Sequence, residues 1–225
     1  MEFEKILNVK RTMLFVDDEQ GRVGFRGRYM GEIPVSDYPT VVTGLSVSGL
    51  KSKDLLSVAE SFPSVRKLTI EKTSQLKSLK GIEKFNQLLE LRIEGCANIS
   101  DFSSLGLLQN LHYLDLEKTE SAGTVISYLL DLPLTDLYIN DSFTDFEEIS
   151  KLGSLSHLTI NGNGSNRQNL PLIPSVSVSF GLEGFNDLKS AKCLANLKNE
   201  TRIRWWGPKP IDDIPTHLQD NAAFK

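Results

Sequence analysis

A six-residue pattern recurs along this chain at a spacing that few folds can accommodate. Residues 65–70 (VRKLTI), 88–93 (LLELRI), 111–116 (LHYLDL) and 134–139 (LTDLYI) share the form LxxLxI/L, and their central leucines fall at 68, 91, 114 and 137, a constant step of 23. One step earlier, residues 42–47 (VTGLSV) fit around Leu45; one step later, residues 155–160 (LSHLTI) fit around Leu158 after a step of 21. A repeat of this length is one small unit that cannot bury its apolar edge alone and must stack on copies of itself.

The period has two halves with different rhythms. The LxL half has the period of a strand, sending alternate residues to opposite faces. The other half carries apolar residues three apart: Leu76, Leu79, Ile82 and Phe85, then Ile99, Phe102, Leu105 and Leu108, then Phe143, Phe146, Ile149 and Leu152. Spacing by threes suits 3-10 or short helical turns. Each unit is predicted to be a strand followed by a tight helical return.

These residues resemble the leucine-rich repeat family, and the rhythm is most similar to its bacterial internalin-type class; the resemblance covers about residues 40–205. It implies an α/β, right-handed leucine-rich repeat solenoid with a parallel concave β-sheet and short helical or 3-10 convex returns, and protein recognition as the usual role. One position departs. The family's pattern puts an Asn, which bonds the backbone of adjacent turns, where this chain has Thr73, Cys96, Thr119, Ser142 and only once Asn163. Thr, Ser and Cys replace that side chain less completely, so a looser curvature is expected.

Outside the regular copies the pattern weakens. Residues 1–40 are not a repeat: strands over 12–16 and 22–30, joined by 17–21, predict an N-terminal β-hairpin cap. Val23, Phe25 and Tyr29 share one of its faces and Arg22, Arg26 and Arg28 the other, either in solvent or against a partner. The array is assigned to 41–207, with irregular C-terminal repeats: a short copy at 173–178 after a step of 18, an amphipathic helix marked by Phe185, Leu188, Ala191, Leu194 and Leu197, and a last strand at 201–206. Trp205 or Trp206 is expected to cover the open end, with a docked tail over 208–225.

The chain has 225 residues, 40% hydrophobic and 24% charged, with a net charge of −4, so its bulk charge invites neither nucleic acid nor anionic lipid. No apolar run approaches the roughly 18 residues of a membrane span, and the acidic start makes a poor secretory signal, so a cytoplasmic location is expected. Cys96 and Cys193 have no metal-ligand spacing and read as buried thiols in a reducing compartment, with a disulfide as the alternative. His112, His157 and His217 lack ligand partners, and the sequence contains no GxSxG, HExxH, P-loop or GxGxxG opening a helix. No enzyme activity, metal or cofactor is expected.

What remains is the solvent side of the sheet. Residues at −1, +1 and +3 from each central leucine should face out: Gly44, Ser46 and Ser48; Lys67, Thr69 and Glu71; Glu90, Arg92 and Glu94; Tyr113, Asp115 and Glu117; Asp136, Tyr138 and Asn140; His157, Thr159 and Asn161. From Lys67 onward these are six carboxylates against two cations, around two tyrosines. Such a face suits a basic protein, the acids steering it in and the tyrosines anchoring it. The predicted binding residues are Glu71, Glu90, Arg92, Glu94, Tyr113, Asp115, Glu117, Asp136, Tyr138 and His157. The leading reading is a monomeric, stoichiometric protein-binding module, in its specific form an immunity-type inhibitor of a basic bacterial toxin domain such as a nuclease. The alternatives are a secreted or translocated effector or adhesion module, and a regulatory subunit of an enzyme such as a phosphatase.

Overall fold

The structure is a computed structural model that describes residues 42–119, 123–153, 155–208 and 212–224, together with the backbone of 13–18 and 21–25. Among the described residues ten strands form one sheet: β1 (Met13–Asp18), β2 (Gly21–Phe25), β3 (Gly44–Ser48), β4 (Lys67–Glu71), β5 (Glu90–Glu94), β6 (Tyr113–Asp115), β7 (Asp136–Asn140), β8 (Leu155–Ser165), β9 (Val176–Phe185) and β10 (Arg202–Trp206). Their order is β10-β9-β8-β7-β6-β5-β4-β3-β1-β2. Eight of them, β3 to β10, run parallel to one another, which makes the architecture a leucine-rich repeat solenoid.

The register is the sequence repeat made spatial. Leu45 pairs with Leu68, Leu68 with Leu91, Leu91 with Leu114, Leu114 with Leu137, and Leu137 with Leu158. All six are at most 2% exposed. Behind them stands a second inward row, Val47, Ile70, Ile93, Leu116, Ile139 and Ile160, also buried. The returns are short helical pieces, as the spacing by threes requires: α1 (Leu56–Ser61), α2 (Ile126–Leu129) and 3-10 turns at Ile82–Lys84, Ser103–Leu107, Phe146–Lys151 and Lys192–Leu194.

At the N-terminal edge β1 pairs antiparallel with both β2 and β3. The hairpin closes more tightly than the sequence suggested: Asp17 and Asp18 belong to β1, opposite Arg22 and Gly21. The faces predicted from Val23, Phe25, Tyr29, Arg22, Arg26 and Arg28 concern side chains outside the described residues.

The C-terminal half corrects the sequence reading in two places. The copy expected at 173–178 is not the repeat unit. Phe180 pairs with Leu158, a step of 22, and Ile203 pairs with Phe180, a step of 23, so the rhythm continues to the last strand. The disguise is a β-bulge: Leu155 pairs with Val176 but His157 with Ser179, so one extra residue is fitted at Ser177–Val178 and Val178 is turned out to 50% exposure. The amphipathic helix expected over 185–197 is also absent. Only Lys192–Leu194 is helical, as a 3-10 turn, because its apolar residues are spaced by three and not by 3.6. Beyond β10, Asp212 bridges Ser190 just as Asp101 bridges Ser78 in an earlier return. Leu218 is fully buried there, and the Trp205 ring meets Phe224 at 5.8 Å. Trp205 is the inward member of its pair, whereas Trp206 is exposed.

Adjacent repeats are also tied by buried polar side chains. Thr119 Oγ1 donates to the Ile93 carbonyl at 2.8 Å, and the Cys96 thiol lies 3.9 Å from that of Ile70. In the next repeat the tie moves. Asn140, expected on the outer face, is fully buried, and its Nδ2 donates to the carbonyls of Leu116, Glu117 and Thr119. Asn163, the single match to the family's asparagine, is exposed in a turn with φ of 48°. Cys96 and Cys193 are buried free thiols, and burial pushes Cys193 up to about 12. No helix among the described residues is long and apolar enough to cross a membrane.

Two substitutions separate the inner from the outer rows. Leu91→Ala is expected to cost about 2–5 kcal/mol through the cavity it leaves, while Glu90→Ala changes stability by no more than about 0.5 kcal/mol. Asn140→Ala removes the side-chain donor shared by the Leu116, Glu117 and Thr119 carbonyls, of which Leu116 still accepts from the Thr119 N–H, and should cost about 1–3 kcal/mol. Denaturant melts of the three variants give the comparison, and equal effects at 90 and 91 would reverse the assignment of faces.

Candidate functional site

Because the register is in step, the outward residues form three rows across the strands. The −1 row runs Gly44, Lys67, Glu90, Tyr113, Asp136, His157, Ser179, Arg202; the +1 row Ser46, Thr69, Arg92, Asp115, Tyr138, Thr159, Gly181, Arg204. The +3 row carries Ser48, Glu71 and Glu94 on β3–β5 and Asn140, Asn161, Glu183 and Trp206 on β7–β10. Glu117 follows the short β6 and reaches this row through Asn161. The sequence reading stopped at β8. The contribution of β9 and β10 was missed because Phe180 replaces the leucine and the bulge hides it, although the steps of 22 and 23 were there to be counted.

The tyrosines are brought together as expected: the Tyr113 and Tyr138 rings lie 5.4 Å apart with 38° between their planes. Both remain partly exposed. Partial burial, with Asp115 and Tyr138 nearby, pushes Tyr113 up to about 12 despite Arg92. The same cause, burial first and then Asp136, raises Tyr138. Beside Tyr113 the sheet has a hollow of about 210 Å³ lined by Lys67, Thr69, Glu90 and Arg92.

The acids are less uniform than their count implied. Lys67 Nζ lies 2.7 Å from Glu90, Arg92 lies 3.2 Å from Asp115 and 3.7 Å from Glu94, and Lys118 lies 3.7 Å from Glu94. His157 stands 4.0 Å from Asp136 and 2.8 Å from Ser179 Oγ. Asp115, expected as a solvent-facing carboxylate, is only 6% exposed; it is ion-paired with Arg92 and accepts from the Glu117 backbone N–H at 3.2 Å. Burial raises its pKa and outweighs the Arg92 charge. It is part of the structure of the face more than a free contact.

Uncompensated acid therefore collects on the +3 row. Glu71 forms no ion pair with another described residue, and neither do Glu117 and Glu183. With Asn140 turned into the core, Asn161 reaches across β7 and donates to Glu117 at 2.9 Å and to Glu183 at 3.0 Å. The hydrogen bond shared with Glu117, then burial, push the Glu183 carboxyl up. Among the described residues no group of three His, Cys, Asp or Glu side chains is placed to hold a metal ion.

No protein-family model matches the chain, and no curated protein matches it. Among solved structures the chain is similar to an internalin from Listeria monocytogenes, at 18% identity and a TM-score of 0.44. The match covers 88% of this chain and 57% of that one, so this chain spans less than two thirds of the internalin's length.

The Glu117–Glu183 contact sets a pH dependence. The folded-state pKa of Glu183 lies above its ordinary 4.5, so the folded chain binds the proton more tightly, and stability falls as pH rises from 4.5 through the raised value. Glu183→Gln removes the repulsion. It should raise the melting temperature by about 1 °C at pH 7, with the difference vanishing near pH 4, in paired thermal melts.

Proposed function

We propose that this chain is a non-catalytic protein-binding module whose concave sheet engages a partner that is basic where it faces β4 to β6. The observation that carries the reading is the Tyr113–Tyr138 pair, half-open to solvent on the parallel sheet with Asp115, Asp136 and Glu117 close by. Stacked repeats create extended concave surfaces of the kind used for protein recognition. Aromatic pairs give a docking partner area at low entropic cost, and neighbouring carboxylates give it direction.

The specific form of this proposal is a cytoplasmic, stoichiometric mask for a basic protein domain, an immunity-type inhibitor of a toxin such as a nuclease. A basic catalytic surface is what a rigid acidic sheet with tyrosine anchors complements best. Glu90, Arg92, Asp115, Asp136 and His157 support the face through their mutual pairs, and Glu71, Glu94, Glu117, Tyr113 and Tyr138 make the principal contacts.

The partner is to be captured by photocrosslinking from position 113 and its kinetics measured at two salt concentrations. Glu94→Lys with Glu117→Lys should slow association several-fold and flatten its salt dependence. Tyr113→Ala or Tyr138→Ala should speed dissociation, at a cost of about 2 kcal/mol or more. If neither pair of changes alters binding, the concave face is only a solvated sheet and the proposal fails.

A further inference from the structure

A hollow interrupts the outer face between β4 and β6, and the charges around it explain why it is there. Lys67 on β4 stands opposite Glu90 on β5, and Thr69 on β4 opposite Arg92 on β5. Lys67 Nζ reaches across to Glu90 at 2.7 Å and closes the side of the −1 row. The Arg92 side chain leans the other way, to Asp115 on β6 at 3.2 Å and to Glu94 on its own strand at 3.7 Å. Thr69, half-buried and short, reaches neither. The space over it, about 210 Å³, runs from β4 to Tyr113 on β6. Tyr138 packs on the β7 side of the Tyr113 ring, so the hollow lies on the ring's other side.

Size and charge together narrow what this space can take. Small-molecule pockets ordinarily enclose roughly 300–1,000 Å³, so a hollow of about 210 Å³ suits a single side chain. Both cations at its rim already face carboxylates. An incoming carboxylate has to compete with Glu90 for Lys67, and an incoming ammonium meets Lys67 and Arg92 together. An uncharged side chain disturbs no pair. Among uncharged side chains an aromatic ring gains most, because it packs against the Tyr113 ring and offers its face to the neighbouring cations, which an aliphatic group does not.

We propose that this hollow is the seat of one uncharged aromatic side chain of the protein partner, laid over Thr69 against Tyr113; it rests on the reading of the sheet as a protein-binding face. The partner's ring then extends the Tyr113–Tyr138 pair into a row of three. The seat also fixes what stands beside that ring. Glu71 and Glu94 follow Thr69 and Arg92 by two residues on the same face, about 7 Å along the strands. An extended partner segment with a cation two residues from its aromatic spans the same distance.

The test uses the full chain, labelled for NMR, titrated with the synthetic peptide acetyl-GSYSKSKG-amide. Comparison peptides carry leucine or glutamate in place of the tyrosine, or glutamine in place of both lysines, and p-cresol serves as the free small molecule. The tyrosine peptide should shift the amides of Thr69, Arg92 and Tyr113 and bind about fivefold more tightly than its leucine twin. Thr69→Phe fills the hollow from its own floor and should remove that difference. Thr69→Ala leaves the hollow open and should keep it, and matching melting temperatures show that both variants fold. Equal binding of the tyrosine and leucine peptides, an unchanged difference in Thr69→Phe, or tighter binding by the glutamate peptide overturns the seat. Silence of the three amides at millimolar peptide does so too, as does p-cresol binding as tightly as the tyrosine peptide. The lysine-free peptide tests the parent reading separately: if it binds as well as the original, the acidic row takes no cations while the aromatic seat stands.

Discussion

A single repeat of this chain has nowhere to put its leucine. Leu91 is sealed by Leu68 on one side and Leu114 on the other, and each of those needs its own neighbour in turn. The apolar column exists only as a stack, and only in one register, since a slip of one residue would drive Thr69, Arg92 and Tyr138 into the core. That constraint does more than hold the fold together. Strands locked in step on the inside are locked in step on the outside, so residues 23 apart in sequence become neighbours about 4.8 Å apart on the solvent face. The rows of tyrosines, acids and arginines are a by-product of burying leucine.

Charge on such a face has to be read after folding. The chain carries a net −4, and the central strands offer many more acids than bases. Yet adjacency lets Lys67 meet Glu90 and lets Arg92 meet both Asp115 and Glu94, so much of the acid is answered within the sheet. The Lys67–Glu90 and Arg92–Glu94 pairs are partly exposed and contribute little stability each, whereas Asp115 is buried. Their larger effect is to sort the surface. They quiet the −1 and +1 rows and leave the field of Glu71, Glu117 and Glu183 along the third, tempered at Glu183 by Arg204 and Lys118.

Much of this was legible in the sequence, because two rhythms carry most of the information. The period of two in LxL placed β3 to β8, and the period of three placed the tight returns. What could not be read was any feature that depends on where a neighbour's atoms lie. Nothing in the string LTDLYIN says that Asn140 turns inward, since that follows from three carbonyls of the preceding repeat lying within its reach. Asp115 looked like any acid in an x position until Arg92, one strand away, folded over it. β9 was obscured for a different reason. Val176 and Val178 imitate the motif, and only pairing with β8 shows that the bulge between them hands the leucine's place to Phe180.

The inward turn of Asn140 has a further consequence. In a solenoid each repeat ordinarily speaks only to the next, and the array can open one turn at a time from an end. Here the vacated place is crossed by Asn161, which ties Glu117 beside β6 to Glu183 on β9. Residues 44 positions apart along the chain are joined directly, over the top of β7. Fraying that begins at β10 therefore reaches a clasp rather than another independent layer, and β7 to β9 let go together. A stack of separable layers becomes, over this stretch, a single block, one that carries Tyr138 and adjoins the strand of Tyr113.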